Sequence, residues 1–439
     1  MWQGGTIMKT IEFKQLDETL YYKKLKNGLD VYILPKKGFS KTYVTFTTKY
    51  GSIDRTFKPL DSDEMITVPD GIAHFLEHKM FEKEDGDVFQ KFSEVGAQAN
   101  AFTSFTRTSY LFSATDHLYK STETLLDFVQ SPYFTEETVE KEKGIIGQEI
   151  TMYDDLPDWR LYFGAIENMY TNHPVKIDIA GTIESIDDIT ADHLYTCYNT
   201  FYHPSNMLLF VIGAVDPEEM MAFIETNQNA KEFAAAEPIV RHFDQEPMEV
   251  AVKENVLKMD VQKPKIYVGF KAKEVGLSGA DMLKHELAVQ IAFECVYGRT
   301  TDFYTSLYEE GIIDETYSFD FSLEQGYGFA LVGSDTAVPD ELETRIKNQM
   351  ATAATGALFT QEQVDRIRRK KIGFFLRALN SIEFIANQFT RYKFNEMDLF
   401  DVVPTLETLT VDYIQEAFQT VVGEQQQTVF KVLPSSERN

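Results

Sequence analysis

The stretch Asp70–Phe81, DGIAHFLEHKMF, sets His74, Glu77 and His78 inside an otherwise apolar segment. The chain holds only 8 histidines, so two of them one helical turn apart, beside a carboxylate, call for a chemical reason. Stepping ~100° per residue around a helix groups Ile72, Phe75 and Leu76 on one side and His74, Glu77 and His78 on the other. Histidines at i and i+4 can present ring nitrogens to one zinc ion. The order His-x-x-Glu-His is the inversion of the commoner zinc-peptidase motif. The same spacing also fits two hydrogen-bonded histidines on an ordinary helix, so a third ligand has to decide. His285 gives a contrast within the chain: HELAV begins like the commoner motif, but Val289 stands where the second histidine belongs.

A catalytic zinc takes a third protein ligand and keeps one position open for water. The segment TVEKEKGIIGQEITMYDD offers Glu142 and Glu149, seven residues apart and therefore on one helix face, near Ile145, Ile146 and Tyr153. Glu140, Lys141 and Lys143 point elsewhere. Two carboxylates in a buried stripe are costly unless paired, hydrogen-bonded or metal-bound. Zinc would supply the compensating charge.

The elements that must position these residues follow from period and punctuation. LDVYILP (29–35) and KTYVTFTTKYG (41–51) read as strands. GIAHFLEHKMF reads as a helix, DGDVFQKFSEVG as another ending at Gly96, and ANAFTSFTRTSYLFSAT as one long alternating strand. TETLLDFVQSP and TEETVEKEKGIIGQEITMYDD are helical, and HPSNMLLFVIGAVDPEEM is a buried strand, a turn and a helix start. The pattern then restarts. KPKIYVGFKAKEVG echoes KTYVTFTTKYG, TDFYTSLYEEG echoes GDVFQKFSEVG, and LFTQEQVDRIRRKKIG echoes YFTEETVEKEKG. The expected fold is α+β, two tandem homologous α/β-sandwich domains. Residues 1–226 form the catalytic, zinc-binding domain, 227–247 a linker and 248–439 a homologous domain without catalysis. In the second copy the positions of Glu142 and Glu149 are taken by Ile367 and Phe374, expected to be core residues, and no His-x-x-Glu-His helix recurs.

Composition narrows the partners. With 439 residues, 43% of them hydrophobic, the chain can bury a sizeable core. A net charge of −27 repels nucleic acid and anionic membranes. Cys197 and Cys295 make no disulfide framework and are expected as buried thiols in a reducing cytoplasm. No stretch approaches the ~20 apolar residues of a membrane helix. The start lacks the charged and apolar regions of a signal peptide. Met8 offers an alternative start that would leave MWQGGTI as a poorly ordered extension.

GIAHFLEHKMF, NAFTSFTRTSY, EKEKGIIGQEI, HPVKIDIAGTIESI and YHPSNM together resemble the pitrilysin and mitochondrial processing peptidase family of inverted-motif zinc peptidases. The resemblance covers nearly the whole chain and is closest to the bacterial two-domain zinc proteases. It implies a processing-peptidase-like fold, hydrolysis of peptide bonds and one zinc per chain. It further implies that His74, His78 and Glu149 are ligands, that Glu77 is the general base, and that Glu142 is an acid behind a ligand. The strand beginning NAFTSF would be a sheet edge that pairs with an extended peptide, with Asn100 and Ala101 on it.

One departure stands out. Many family members carry, in the second domain, an arginine followed seven residues later by a tyrosine, both binding substrate. Here Tyr308 takes the arginine's place and Glu315 the tyrosine's, with Tyr317 expected to bind substrate instead. In two-chain members the partner supplies that pair. The resemblance therefore implies a dimer, with a second copy or with a paralogous subunit that holds no metal. The other class of function is a catalytically weak scaffold subunit that acts only with such a partner.

Overall fold

The computed structural model describes residues 7–60 and 62–435, so the expectation for MWQGGTI lies, but for its last residue, outside the described chain. In the first half the strands of the large sheet are β1 (Lys9–Phe13), β2 (Glu18–Lys24), β3 (Asp30–Pro35), β4 (Thr42–Thr48), β5 (Gln98–Thr103), β6 (Thr108–Ala114) and β7 (Met207–Gly213). Its helices are α1 (Ile72–Met80), α2 (Val88–Ser93), α3 (Leu118–Val129), α4 (Glu136–Asp154), α5 (Pro157–Met169), α6 (Ala191–Phe201) and α7 (Pro217–Asn229). The second half brings β8 (Glu254–Met259), β9 (Lys265–Lys271), β10 (Ser318–Glu324), β11 (Tyr327–Asp335) and β12 (Gln427–Pro434). With them come α8 (Gly279–Tyr297), α9 (Asp302–Glu309), α10 (Pro339–Ala354), α11 (Gln361–Ala378), α12 (Ile382–Phe394) and α13 (Val411–Gln419).

The first sheet runs β1-β2-β3-β7-β4-β6-β5. Only β3 and β7 are parallel within it. The second runs β8-β12-β9-β11-β10, again with one parallel pair, β8 and β12. The order and directions of β3-β7-β4-β6-β5 thus recur strand for strand. Among the described residues the hairpin β1-β2, which extends the first sheet, has no counterpart in the second. Two homologous units of mixed sheet and helices are what the sequence repeat led us to expect.

Compactness does not follow the halves of the chain. One unit takes the chain up to Ile150, Asp178–His242 and Ala378–Phe394; the other takes Thr151–Ile177, Phe243–Arg377 and the chain from Asn395 on. Each copy therefore lends one helix to the other's sheet. Helix α12 packs on β4 and β7, and α5 packs on β9 and β12. The exchange explains β4. Its alternation puts Val44 and Phe46 in the core with Phe75 and Leu76, yet all seven of its residues are buried. The second face is covered by α12, whose Phe389 ring lies 4.9 Å from Tyr32 and 4.6 Å from Phe210. On α5, Gly164 allows close docking, since a Cβ there would meet the Phe430 ring at 2.3 Å.

Two further expectations change. ANAFTSFTRTSYLFSAT is not one strand but the hairpin β5–β6, paired Thr103 to Thr108. Its turn contains neither Gly nor Pro, so nothing interrupts the alternation. The turn is closed by Ser104 N–H on Arg107 O at 2.8 Å and by the Ser104 hydroxyl. It packs on Gly51, where a Cβ would come within 2.4 Å of Phe105. The stretch 227–247 begins inside α7, and its Val240–Arg241 pair with Phe57 and Lys58. Arg241 also reaches buried Asp54 at 2.6 Å, so this end of the linker is tied to the first unit.

Candidate active site

Helix α1 starts where the chain makes a left-handed turn at Gly71, φ 86°. A Cβ there would lie 2.3 Å from Ala180 O, so the glycine lets Ala180–Gly181 press against the helix start. Ser185 Oγ donates to Asp70 O at 2.9 Å, and Arg55 pairs with Asp70 at 3.0 Å. Residues 180–185, within HPVKIDIAGTIESI, are thus the seat of α1. From that seat Ile72, Phe75 and Leu76 enter the core, which turns His74, Glu77 and His78 to the other side.

Helix α4 buries Val139, Glu142, Ile146 and Ile150. Burial reaches Glu142 because it has a partner: its Oε1 lies 3.1 Å from His78 Nδ1. Two turns on, Glu149 Oε2 lies 3.5 Å from His78 Nε2 and 3.8 Å from His74 Nε2. Ile145, expected near this face, is 48% exposed. Glu142 and Glu149 therefore do different work. The first orients an imidazole from behind, and the second faces both imidazoles from the front.

These residues fit a metal ion. One ligand atom each from His74, His78 and Glu149 lies within 4.8 Å of the others. A tetrahedral zinc with bonds of about 2.0–2.2 Å spaces its ligands by about 3.4 Å, close to the two separations above. Two imidazoles and one carboxylate are also the donor set of a catalytic zinc that keeps an open position. The proton state of His74 agrees. Burial, with His78 alongside, pushes the His74 imidazole down to about 3, so it is neutral and offers a lone pair. At His78 burial pulls downward most strongly. The bond to Glu142 and the surrounding carboxylates outweigh it, and the net shift is upward. Glu142 on Nδ1 leaves Nε2 to face Glu149, the arrangement by which a carboxylate fixes a ligand's tautomer.

Glu77 is buried beside the cluster, and Thr103 Oγ1 donates to its Oε2 at 2.8 Å. Burial raises its carboxyl above the usual range, against the Thr103 bond and His78, which lower it. A carboxylate shifted this way is a better base near neutral pH. Glu77 and His78 line a cavity of about 620 Å³ together with Phe81, Phe89, Asn100 and Ala101. Asn100 and Ala101 lie on β5, the last strand of the sheet. The Ala101 N–H is held by Asn100 Oδ1 at 2.9 Å, not by β6.

The second unit treats the remaining expectations differently. Tyr317 is buried, and its hydroxyl already donates to Tyr297 O at 2.9 Å. Its phenol is a core group of that unit. Tyr308 is 55% exposed and stacks on Tyr304. His285 is buried, with Nε2 3.3 Å from Thr420 Oγ1. Both cysteines are free and buried. Phe374 is not a core residue: it is 60% exposed, whereas Ile367 is buried. Sequence reading missed two groups of the first unit. Lys79, fully buried, bonds the Glu82 carboxylate and Thr138 O, tying α1 to the start of α4. Thr103 shares a strand face with Ala101, but no signal in the sequence says which helix that face meets.

The profile described as insulinase (peptidase family M16) matches residues 68–183, which span every residue of this cluster. The profile described as the peptidase M16 inactive domain matches residues 188–371. The chain belongs to peptidase family M16. It is 59% identical to the uncharacterized zinc protease YmfH of Bacillus subtilis, over 98% of this chain and 100% of that one. The crystal structure of an M16-like peptidase from Alicyclobacillus acidocaldarius superposes with a TM-score of 0.91 at 39% identity, covering 98% and 99% of the two chains. A protease from Helicobacter pylori shares the fold at 21% identity, TM-score 0.81, over 94% and 99%. Relatives named zinc proteases agree with the donor set found here. Among the described residues no helix is long and apolar enough to cross a membrane.

Proposed function

We propose that this M16 chain is a zinc-dependent peptidase that hydrolyses bonds within extended peptides. The observation that carries the reading is the convergence of His74, His78 and Glu149, with Glu77 buried alongside and an open strand edge next to it. One zinc per chain, when bound, polarises a peptide carbonyl and acidifies a water. Glu77 takes the proton from the attacking water and returns it to the leaving amine. Glu142 holds His78 in the ligating tautomer. The backbone of β5, with Asn100 and Ala101, pairs with the peptide, which selects extended chains and not a particular side chain. The test is zinc content after mild purification and cleavage of a quenched peptide library by wild type and Glu77→Gln. Glu77→Gln should keep its zinc and lose about 10²–10⁴-fold in rate. Equal cleavage by the two proteins would reject the role.

A second reading rests on Tyr308. No arginine stands there, and the Tyr317 hydroxyl is engaged within its own unit. On this reading the chain acts as a dimer, with a second copy or with a paralogous subunit that lacks the metal and supplies the missing cation. Its limiting form is a scaffold subunit with little turnover of its own. Comparing cleavage by the chain alone and by the chain co-expressed with such a paralogue tests it. Full activity as an isolated monomer would sink it.

A further inference from the structure

Glu77 is held by a hydroxyl from outside its own helix. Its Oε2 accepts from Thr103 Oγ1 at 2.8 Å. Thr103 ends β5, the edge strand, and its hydroxyl is not needed elsewhere. The neighbouring Thr108 Oγ1 donates to Tyr50 O at 2.9 Å and stands 3.5 Å from Thr103 Oγ1. The Thr103 proton is therefore directed to the carboxylate.

The backbone of Thr103 matters as well. Ser104 N–H bonds Arg107 O across the turn, and hydrogen-bonded pairs alternate along an antiparallel ladder. Phe102 and Asn100 then point their N–H and C=O groups at β6, while Thr103 and Ala101 point theirs to the open edge. The Asn100 side chain on Ala101 N–H fits that alternation. One residue thus places its side chain on the base and its backbone on the edge offered to a peptide.

We propose that Thr103 is a positioning residue: its hydroxyl fixes the Glu77 carboxylate, and through it the strand that receives the peptide sets where the base stands. This inference rests on the peptidase reading above. With Oε2 occupied by Thr103, Oε1 is left to accept the proton of the attacking water, which goes on to the leaving amine. Nothing is oxidised or reduced, and Thr103 keeps its own proton throughout.

The test uses the full-length, zinc-loaded chain. Thr103→Val is nearly isosteric and removes the hydroxyl, Thr103→Ser keeps it, and Glu77→Gln is the control. We expect Thr103→Val to lower kcat about 10–100-fold, the range for losing one hydrogen bond to a charged group. KM should move less than about twofold, with zinc content and melting temperature unchanged. Thr103→Ser should recover most of kcat. A crystal structure of Thr103→Val should show the Glu77 carboxylate displaced. Unchanged kcat in Thr103→Val beside a dead Glu77→Gln overturns this inference and leaves the peptidase reading intact. So does a change in KM alone, a Thr103→Ser no better than Thr103→Val, or a Glu77 that keeps its place. Wild-type cleavage by Glu77→Gln overturns both.

Discussion

Helices α4 and α11 hold matching places in the two units, and the fold asks only part of the same thing of each. At the first matched position Glu142 and Ile367 are both buried. The fold wants that site filled, and a carboxylate is tolerated in α4 because His78 answers it at 3.1 Å. At the second position neither residue is core. Glu149 is half-buried against two imidazoles, and Phe374 stands 60% exposed with Arg377 over its ring at 5.6 Å. The carboxylate that faces both imidazoles stands where packing makes no demand, and the acid behind His78 where packing does. The second unit also sets charges between its helices: Glu294 of α8 pairs with Lys370 of α11 at 2.5 Å. There a carboxylate meets an ammonium group, which neutralises it, and no imidazole pair is present.

Exchanging residues between the two helices tests this contrast. The largest effect is expected from Glu149→Phe, which gives α4 the residue of α11. Zinc affinity should fall on the order of 10³-fold or more with the loss of a ligand, while the apo melting temperature stays within a few degrees. A melt that collapses would show that position 149 does carry packing. The reverse exchange, Ile367→Glu, buries a carboxylate with no imidazole to meet it and should destabilise the second unit by about 3–5 kcal/mol, read from denaturant midpoints. A near-neutral result would mean that α11 can open there to water.

Next in size is a response to pH in the second unit. Burial holds His173 at about 4, with Glu246 opposing and Lys271 assisting the shift. Its Nδ1 accepts from Val175 N–H at 3.1 Å, which needs the neutral ring. The unfolded chain, with an ordinary value near 6.5, takes up the proton first as pH falls. The contribution to stability is therefore full above about pH 6.5, declines through the window down to about 4, and is flat below. The gap between the two values bounds the loss at about 3 kcal/mol. His74 is depressed in the same direction, so the measurement is the difference in acid sensitivity between wild type and His173→Asn. Equal slopes would remove His173 from the account. The smallest effect belongs to Glu142→Ile, the second unit's residue placed in the first: zinc affinity falls about 10–100-fold, with the fold kept.

The sequence made α1 legible because a helical period of 3.6 divides apolar from polar residues, and nothing in the tertiary structure overrode it. Glu142 and Glu149 were legible as a pair for the same reason. Their different expected roles came from the family resemblance, since a wheel gives direction and not depth. The strands of LDVYILP and MLLFVIG were plain from β-branched runs. The hairpin in NAFTSFTRTSYLFSAT was hidden because Ser104 closes its turn with a hydroxyl and the period of two runs on through it. The N-terminal strands β1 and β2 went unread. The helix exchange was invisible, because α5 and α12 are each amphipathic and a pattern cannot say whose sheet a face will meet. Phe374 differs from expectation because its type, an aromatic residue on a helix, signals core, where the structure leaves it in solvent.

The lending of α12 to the first sheet has a consequence in time. A ribosome finishes β7 at Gly213 but reaches the end of α12 only at Phe394. That is roughly 180 residues later, on the order of ten to forty seconds at ordinary elongation rates. Throughout that interval α12 is not yet there to cover the face of β4 and β7 that carries Tyr43 and Phe210. The nascent first half thus waits for a helix of the second copy before that face is covered. The sheet beneath α1 is completed only when most of the second copy has been made. A truncated product ending in the linker would carry His74, His78 and Glu149 on a sheet that lacks α12.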